Sequence, residues 1–327
     1  MTLQEIFDLA IAMGTEADPR GRAGVEKALK RTREAYQELP EAKKQDVDPE
    51  SLKHPYADTR ILFGDPTVQV NRVMVGIDVD AAELVLSDRL KEKGEDIDAV
   101  IAHHPAGPGI ALFDEVMDLQ VDTLASYGVP VNVAEALMRD RAGEVRRRFG
   151  PMNHYRSVDA ARLLGIPFLC LHTVWDNLGW KFMSDVIAKE QPETVGDIMK
   201  LLRQIPEFAQ AIKDQAGPAV YVGSEKNRAG KIVVAGFTGG TNFGKEMYER
   251  LSHAGVGTMI DMHAPEEHVE EAKKYHINLI VTGHMASDSI GANLYLDALE
   301  ERGVQCLPCS GLIRVSRRGQ RKARKKS

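Results

Sequence analysis

Two adjacent histidines, His103 and His104, directly follow a short apolar run in this 327-residue chain. The run, residues 99–102, predicts a buried strand, and Pro105 ends that strand because proline has no N–H to donate to a ladder. Imidazole is the commonest metal ligand among side chains, and adjacent side chains on a strand point in opposite directions. The pair could therefore bind two metal ions, although a packed or a solvent-exposed pair fits the same pattern.

Two later segments also place polar side chains after apolar runs. One carries His172 and Asp176, and the other carries His284 with Asp288 four residues later. Open α/β sheets bind their ligands at the carboxyl ends of strands, so these side chains are expected to converge with the histidine pair. Imidazole and carboxylate ligands together suit Zn²⁺, Mn²⁺ or Fe²⁺. The alternatives are a helix N-cap at Asp288, a turn cap at Asp176 and a histidine of the core at His172.

The elements that must position these residues alternate between strand and helix. Strands are predicted over 72–79, 98–104, 129–133, 166–176, 231–237, 257–263, 277–284 and 304–309. Helices are predicted over 81–94, 157–164, 194–205, 246–255, 265–276 and 290–303. Such alternation predicts an α/β fold with a mostly parallel sheet. Each half of the chain has a strand that ends in a histidine, His104 or His284. These histidines would meet if the chain folds into two lobes whose sheets face each other.

The chain divides into five predicted segments. They are a helical N-terminal extension (1–58), a first α/β lobe (59–190), a helical connector (191–219), a second α/β lobe (220–313) and a basic tail (314–327). The tail holds eight lysines and arginines and no acidic residue, which is typical of a disordered, solvated segment. It could also contact nucleic acid or an acidic partner.

The composition is that of a soluble globular protein, with 43% hydrophobic and 28% charged residues. No apolar stretch approaches the roughly 20 residues that span a bilayer, and the acidic N-terminal helix pattern differs from a signal peptide. Three cysteines are too few for a disulfide scaffold. The sequence therefore predicts a cytoplasmic protein without a membrane segment.

Taken together, the motifs resemble the NIF-three-like dinuclear-metal family, whose members are often labelled GTP cyclohydrolase I type 2 homologues. The resemblance covers roughly residues 59–313. It rests on the sequences LFGDP (62–66), HHP (103–105), HTVWD (172–176), GFTGGT (236–241) and GHMASD (283–288), which occur in the family's order. One departure is Asp288, which stands where the family has glutamate.

The resemblance implies two facing α/β lobes with mostly parallel or mixed sheets and two divalent ions per chain (Zn, Fe or Mn). It places the metal ligands on His103, His104, Asp176, His284 and Asp288. By resemblance, Asp288 bridges the ions, and the chains form a homohexamer. A dinuclear centre would make the protein a metal-dependent hydrolase of a nucleotide-like or phosphoester substrate, with His172 or His154 carrying a proton. The competing interpretation is a non-enzymatic metal-binding or regulatory scaffold.

Three other motifs each allow more than one interpretation. Residues 239–246 match the GxxxxGK of a phosphate-binding P-loop, but Glu246 stands where a serine or threonine would hold Mg²⁺, which favours a tight packing turn. Cys306 and Cys309 form a CxxC without a second pair, so buried or incidental cysteines are favoured over a zinc knuckle. Trp175 and Trp180 flank Asp176, as a pocket wall or as core.

Overall fold

The computed structural model describes residues 1–319. The helices are α1 (Leu3–Ala17), α2 (Gly21–Glu38), α3 (Glu41–Lys44), α4 (Ala81–Glu92), α5 (Pro108–Ala111), α6 (Asp118–Ser126), α7 (Val131–Phe149), α8 (Arg156–Leu164), α9 (Thr173–Glu190), α10 (Val195–Gln204), α11 (Pro206–Lys213), α12 (Met247–His253), α13 (Glu266–Lys274) and α14 (His284–Glu300). The strands are β1 (Thr59–Phe63), β2 (Arg72–Gly76), β3 (Ala99–Ala102), β4 (Phe168–Leu171), β5 (Ala219–Val222), β6 (Lys231–Val234), β7 (Val256–Asp261), β8 (Asn278–Val281) and β9 (Gln305–Cys309). Short 3-10 turns cover Pro49–Leu52 and Phe113–Met117.

The first sheet has the strand order β1-β4-β3-β2-β9. Strands β4, β3, β2 and β9 run parallel, and β1 is antiparallel to β4. Every residue of β3 and β4 is buried, as expected for parallel strands that are covered on both faces. The carboxyl ends of β2, β3 and β4 therefore lie at one edge of this sheet.

The second sheet has the order β5-β8-β7-β6. Here β6, β7 and β8 are parallel, and β5 is antiparallel to β8. The carboxyl ends of β7 and β8 lie at the edge that faces the first lobe, since the rings of His104 and His284 are 5.1 Å apart. The predicted α/β class with two facing lobes and mixed sheets is confirmed.

Strand β9 lies in a different lobe from the one predicted. It falls within the segment 220–313, which was expected to be the second lobe, but it pairs with β2 in the first sheet, with Arg72 opposite Gln305 and Gly76 opposite Cys309. Helix α14 carries the chain back from β8 of the second sheet to this strand. The pairing joins residues that are far apart in the sequence, so no local pattern could have indicated it.

Helix α1 is part of the first lobe and not an appended extension. Its apolar face, with Leu3, Ile6 and Phe7, is buried in the same hydrophobic cluster as Val73 and Ile101 of the sheet. The helix also packs closely on α9: a Cβ added at Gly14 would lie 2.5 Å from the Cβ of Val174. A larger residue at position 14 would therefore push these two helices apart.

Three predicted boundaries were wrong. Residues 131–133 begin α7 instead of completing a strand, because a short β-branched run does not distinguish strand from helix. The strand predicted over 166–176 ends at Leu171, and α9 begins at Thr173. Helix α14 begins at His284 and not near residue 290, so Asp288 lies inside a helix and is not an N-cap.

The first part of the predicted tail lies against the protein. Arg314 pairs with Asp297 at 2.7 Å, and Arg317 pairs with the buried Glu207 at 2.6 Å. Residues 314–319 are therefore held at α14 and α11 and are not a solvated segment, whereas residues 320–327 of the predicted tail lie outside the described residues. Among the helices described, none combines the length and the apolar character that crossing a membrane requires.

Candidate metal centre

His103 and His104 lie directly after β3, as the sequence predicted. The Nδ1 of His103 donates to the carbonyl of Leu171 at 3.2 Å, which directs its Nε2 toward two carboxylates. Asp176 Oδ1 is 3.3 Å and Asp288 Oδ1 is 3.7 Å from this Nε2. The strand end and the carbonyl of the neighbouring strand thus fix the orientation of the imidazole.

His104 is oriented by a carboxylate. Its Nδ1 lies 2.6 Å from Oδ1 of Asp78, which follows β2, and its Nε2 lies 3.5 Å from Asp288 Oδ2. The hydrogen bond from His104 lowers the pKa of Asp78 below its usual value. A carboxylate that accepts from Nδ1 leaves Nε2 available as a ligand, which is a common arrangement around protein-bound metals.

His172 and Asp176 lie at the start of α9. The Nδ1 of His172 is 2.9 Å from Oδ2 of the fully buried Asp58, which also accepts a hydrogen bond from the hydroxyl of Thr173 at 2.6 Å. Burial alone would raise the pKa of Asp58, but the bonds from His172 and Thr173 lower it. Asp58 therefore stays ionised and holds a proton on Nδ1, which leaves Nε2 of His172 as an acceptor.

His284 and Asp288 lie one turn apart on α14, so both side chains point to the same face. The Nε2 of His284 is 3.4 Å from Asp288 Oδ2. The preceding Gly283 has φ +93°, and a Cβ there would lie 2.4 Å from the carbonyl oxygen of Ala216. Only glycine fits at this position, which sets where the helix and its two polar side chains begin.

The structure brings six predicted residues into one cluster between the lobes. Their ligand atoms form three overlapping groups: His103, His104 and His172; His104, His284 and Asp288; and His103, Asp176 and Asp288. Within each group the atoms lie within 4.8 Å of one another. The described residues therefore offer histidine and aspartate groups that can hold a metal ion.

The spacing and the missing hydrogen bonds of these ligand atoms suit a bound divalent metal ion. His103 Nε2 and both carboxylate oxygens of the buried Asp288 have no hydrogen-bond partner among the described residues. Ligands arranged tetrahedrally about 2.0–2.2 Å from an ion lie about 3.3–3.6 Å apart, close to the 3.3–3.7 Å seen between these atoms. Since an unpartnered buried carboxylate is costly, the cluster requires a positive charge.

The pKa values of two histidines of the cluster shift in opposite directions. Burial disfavours a charge on His103, but Asp288 and Asp176 raise its pKa well above the usual value. Burial and the charges of His104 and His263 lower the pKa of His284 to about 4, despite the attraction of Asp288. His284 is therefore neutral at pH 7, which is the form that binds metals.

The structure decides the place of two further residues: His154 lies away from its expected role, and Trp175 takes the core position that was one of its two alternatives. His154 belongs to none of the three ligand groups, and its Nε2 bonds the carbonyl of Phe149 at 2.9 Å. Trp175 is fully buried and stacks on His103 with ring centroids 5.6 Å apart, so it is a core residue that supports a ligand. The structure therefore leaves His172 as the better placed of the two predicted proton carriers.

The structure does not place Lys245 as the lysine of a P-loop. Lys245 is exposed and pairs with Glu267 at 3.2 Å, so its ammonium group points away from the glycine-rich turn where a phosphate would bind.

Cys306 and Cys309 are free thiols on β9, and burial raises their pKa values to about 12 and about 11. Such thiols stay protonated at neutral pH, which does not suit zinc binding or redox chemistry.

Sequence reasoning missed Asp58, Asp78 and His263. Asp78 lies inside the strand predicted over 72–79, but in the structure it follows β2, which ends at Gly76, and His263 follows β7 in the same way. The His263 ring lies edge-on to His284 at 4.8 Å. Asp58 precedes its strand, so the carboxyl-end rule could not have found it.

Asp261 at the end of β7 gives a pH-dependent prediction. It is fully buried, and burial raises its pKa to about 7 even though the Nδ2 of Asn242 donates to it at 3.0 Å. The native state thus favours the protonated acid, so this group's contribution to stability is lost as the pH rises from about 4 through about 7. We compare the unfolding temperatures of Asp261→Asn and wild type after chelator treatment. The gain of the variant over wild type should be larger at pH 8 than at pH 5.

Thermal unfolding followed by circular dichroism measures this difference. Asp185→Asn, at an exposed position on α9, is the matched control and should show no such pH-dependent gain. A difference between Asp261→Asn and wild type that stays constant from pH 5 to pH 8 would contradict the raised pKa.

Comparisons with known proteins give clear structural relatives. A NIF3 superfamily protein from Sphaerobacter thermophilus is 32% identical, with 94% of this chain and 98% of that chain covered and a TM-score of 0.74. Reduced HcgD from Methanocaldococcus jannaschii is 9% identical, with coverages of 86% and 96% and a TM-score of 0.50, a likeness of fold alone. No family model and no curated protein matches the chain.

Proposed function

The chain belongs to the NIF3 superfamily, and we propose that it is a metal-dependent hydrolase that binds two divalent ions and acts on a nucleotide-like or phosphoester substrate. The fold and the clustered histidines and aspartates support the metal-binding part of this proposal. The hydrolytic part rests on the arrangement of one carboxylate and on the access to the cluster.

The observation that carries the proposal is the position of Asp288. Its Oδ1 faces His103, which also faces Asp176, whereas its Oδ2 faces His104 and His284. A carboxylate whose two oxygens face separate ligand sets could hold two ions at once. One ion would be held by His103, Asp176 and Asp288, and the other by His104, His284 and Asp288.

With three protein ligands, each ion would keep a position for water or substrate, as in catalytic and not structural sites. When bound, the ions would polarise a substrate bond and make a water molecule more acidic. His172 could accept the proton of that water at Nε2, because Asp58 holds the other ring nitrogen. The side chains of His104 and His284 are 25% and 38% exposed, so a substrate can reach this face.

Elemental analysis of the purified protein tests the proposal. We expect close to two divalent ions per chain in wild type and almost none in His103→Ala/His104→Ala, because the double variant removes one imidazole from each ligand set. His253→Ala, an exposed histidine on α12, is the control and should keep both ions. Wild-type protein without metal would contradict the dinuclear centre.

Hydrolysis is assayed on the same preparations with a panel of nucleotides and phosphoesters. We expect turnover that the double variant abolishes and His253→Ala keeps. Two ions without turnover of any substrate would favour the alternative, a non-enzymatic metal-binding protein.

A further inference from the structure

The segment 236–245, here called the glycine-rich loop, lies beside the candidate metal centre. On one side, the hydroxyl of Thr238 donates to Oδ1 of Asn177 at 2.5 Å, and Asn177 is the chain neighbour of Asp176. On the other side, the Nδ2 of Asn242 donates to the carbonyl of His263 at 2.8 Å, and the His263 ring contacts His284. The loop therefore contacts residues next to the cluster in both lobes.

The backbone carbonyls of the loop accept hydrogen bonds, but its backbone N–H groups donate none within the described residues. Gln120, buried on α6, donates to the carbonyls of Gly239 and Thr241, and Nε of Arg141 donates to the carbonyl of Asn242 at 3.4 Å. By contrast, no acceptor within residues 1–319 takes a hydrogen bond from a backbone N–H of the loop.

This imbalance points to a ligand. Phe237, Thr238, Asn242 and Phe243 are all less than a tenth exposed, and buried backbone N–H groups are nearly always paired in native proteins. A run of N–H groups around glycines forms the kind of concave donor set that binds anions. The loop thus offers several donors close to the metal centre and requires an acceptor for them.

A cationic side chain lies next to the loop. A cavity of about 250 Å³ is lined by Arg141, Glu144, Arg148, Phe149 and Thr241 of the loop, together with Val145. Arg141 is paired with Glu144 at 3.0 Å, but Arg148 makes no ion pair with any residue that the structure describes. Arg148 and Thr241 of the loop thus border the same cavity, and a guanidinium without an ion pair favours a negatively charged group with several oxygens.

The cavity is close to the metal cluster but separate from it. The ring of Phe149 contacts Phe113 edge-on at 5.4 Å, and Phe113 contacts His172 edge-on at 5.3 Å. Two aromatic rings thus stand between the cavity and the nearest histidine of the cluster. A group bound in the cavity would be held in place while a different part of the same molecule lies at the metals.

We propose that the glycine-rich loop and Arg148 bind a phosphoryl group of the substrate, and that this group is a handle and not the reacting group. The substrate class is then a phosphorylated small molecule whose reacting bond lies at the metal centre, away from its phosphate. This inference rests on the proposed function for the identity of the reacting centre, but the phosphate site can be tested without metal.

The test uses the full chain after chelator treatment, so that phosphate cannot bind to metal ions, with inorganic phosphate as the probe. Calorimetry should show phosphate binding, and Arg148→Gln should weaken it about tenfold or more, because a charge-assisted pair is lost. Arg147→Gln is the matched control, since it removes an exposed neighbouring cation that does not line the cavity. Hydrogen–deuterium exchange of the peptide that spans the loop should slow when phosphate is added.

Three results would overturn the proposal. The first is equal phosphate affinity in Arg148→Gln and Arg147→Gln, and the second is loop exchange that saturating phosphate leaves unchanged. The third is failure of adenosine monophosphate to compete with phosphate, which would assign the site to the free anion. Metal content is measured separately on untreated protein, so a missing metal centre would contradict the proposed hydrolase while leaving the phosphate result readable.

Discussion

Asp288→Asn is expected to reduce the metal content from about two ions per chain to nearly none. The side chain of Asp288 is 1% exposed, and its two oxygens face separate ligand sets, so its loss weakens both sites at once. The amide keeps the size of the side chain but removes its charge, which compensated the positive charge of the ions. Elemental analysis of wild type and variant, purified in parallel, measures the effect.

Asp185→Asn is the control for Asp288→Asn, because Asp185 is an exposed residue whose only ion pair is with Lys181 among the described residues. A second readout guards against misfolding. Bound metal stabilises the native state by mass action, so a chelator should lower the unfolding temperature of wild type and of Asp185→Asn but not that of Asp288→Asn. Retention of both ions by a folded Asp288→Asn protein would show that Asp288 is not the bridge.

His284→Ala is expected to remove one ion and keep the other. His284 faces only Oδ2 of Asp288, whereas the set around Oδ1, with His103 and Asp176, stays complete. Hydrolysis should fall by about a hundredfold or more, since even the loss of an outer partner of a metal ligand costs about 10–100-fold. Metal content and turnover of the same preparation give the two readings.

His253→Ala again serves as the control for His284→Ala, with two ions and full turnover expected. Two ions in His284→Ala would exclude His284 as a ligand. Loss of both ions would contradict the division into two ligand sets that share only Asp288. Unchanged turnover with one ion would show that the ion near His284 has no part in the hydrolysis.

Local patterns were sufficient to predict the class of fold and much of the candidate site. Alternating strands and helices predicted the α/β lobes, and the apolar run before His103 and His104 placed both histidines at a strand end, where the structure has them. The motif order and the resemblance predicted the family that the structural comparison shows. These features are local because a strand, its terminating proline and the polar residues after it lie within a few positions of one another.

Other predictions stay untested. The homohexamer, the cytoplasmic location, the identity of the ions and a nucleic-acid role of the basic tail are expectations of the sequence and the resemblance.

The helical form of the Asp288 segment depends on tertiary contacts of the residue that precedes the helix. Gly283 precedes α14 with a positive φ, and a nearby carbonyl excludes any side chain there, so the helix begins six residues upstream of the predicted position 290.

The tertiary structure alone decided which residues support the metal ligands. Asp58 meets His172 across 114 positions of the chain, Asp78 meets His104 across 26, and β9 joins β2 after a second lobe has intervened. Hydrogen bonds of this kind depend on how strands order themselves in a sheet and how helices pack on it. The strand order and the helix packing are set by the burial of apolar surface over the whole chain. No single segment of the sequence therefore indicates which distant residue its side chains will contact.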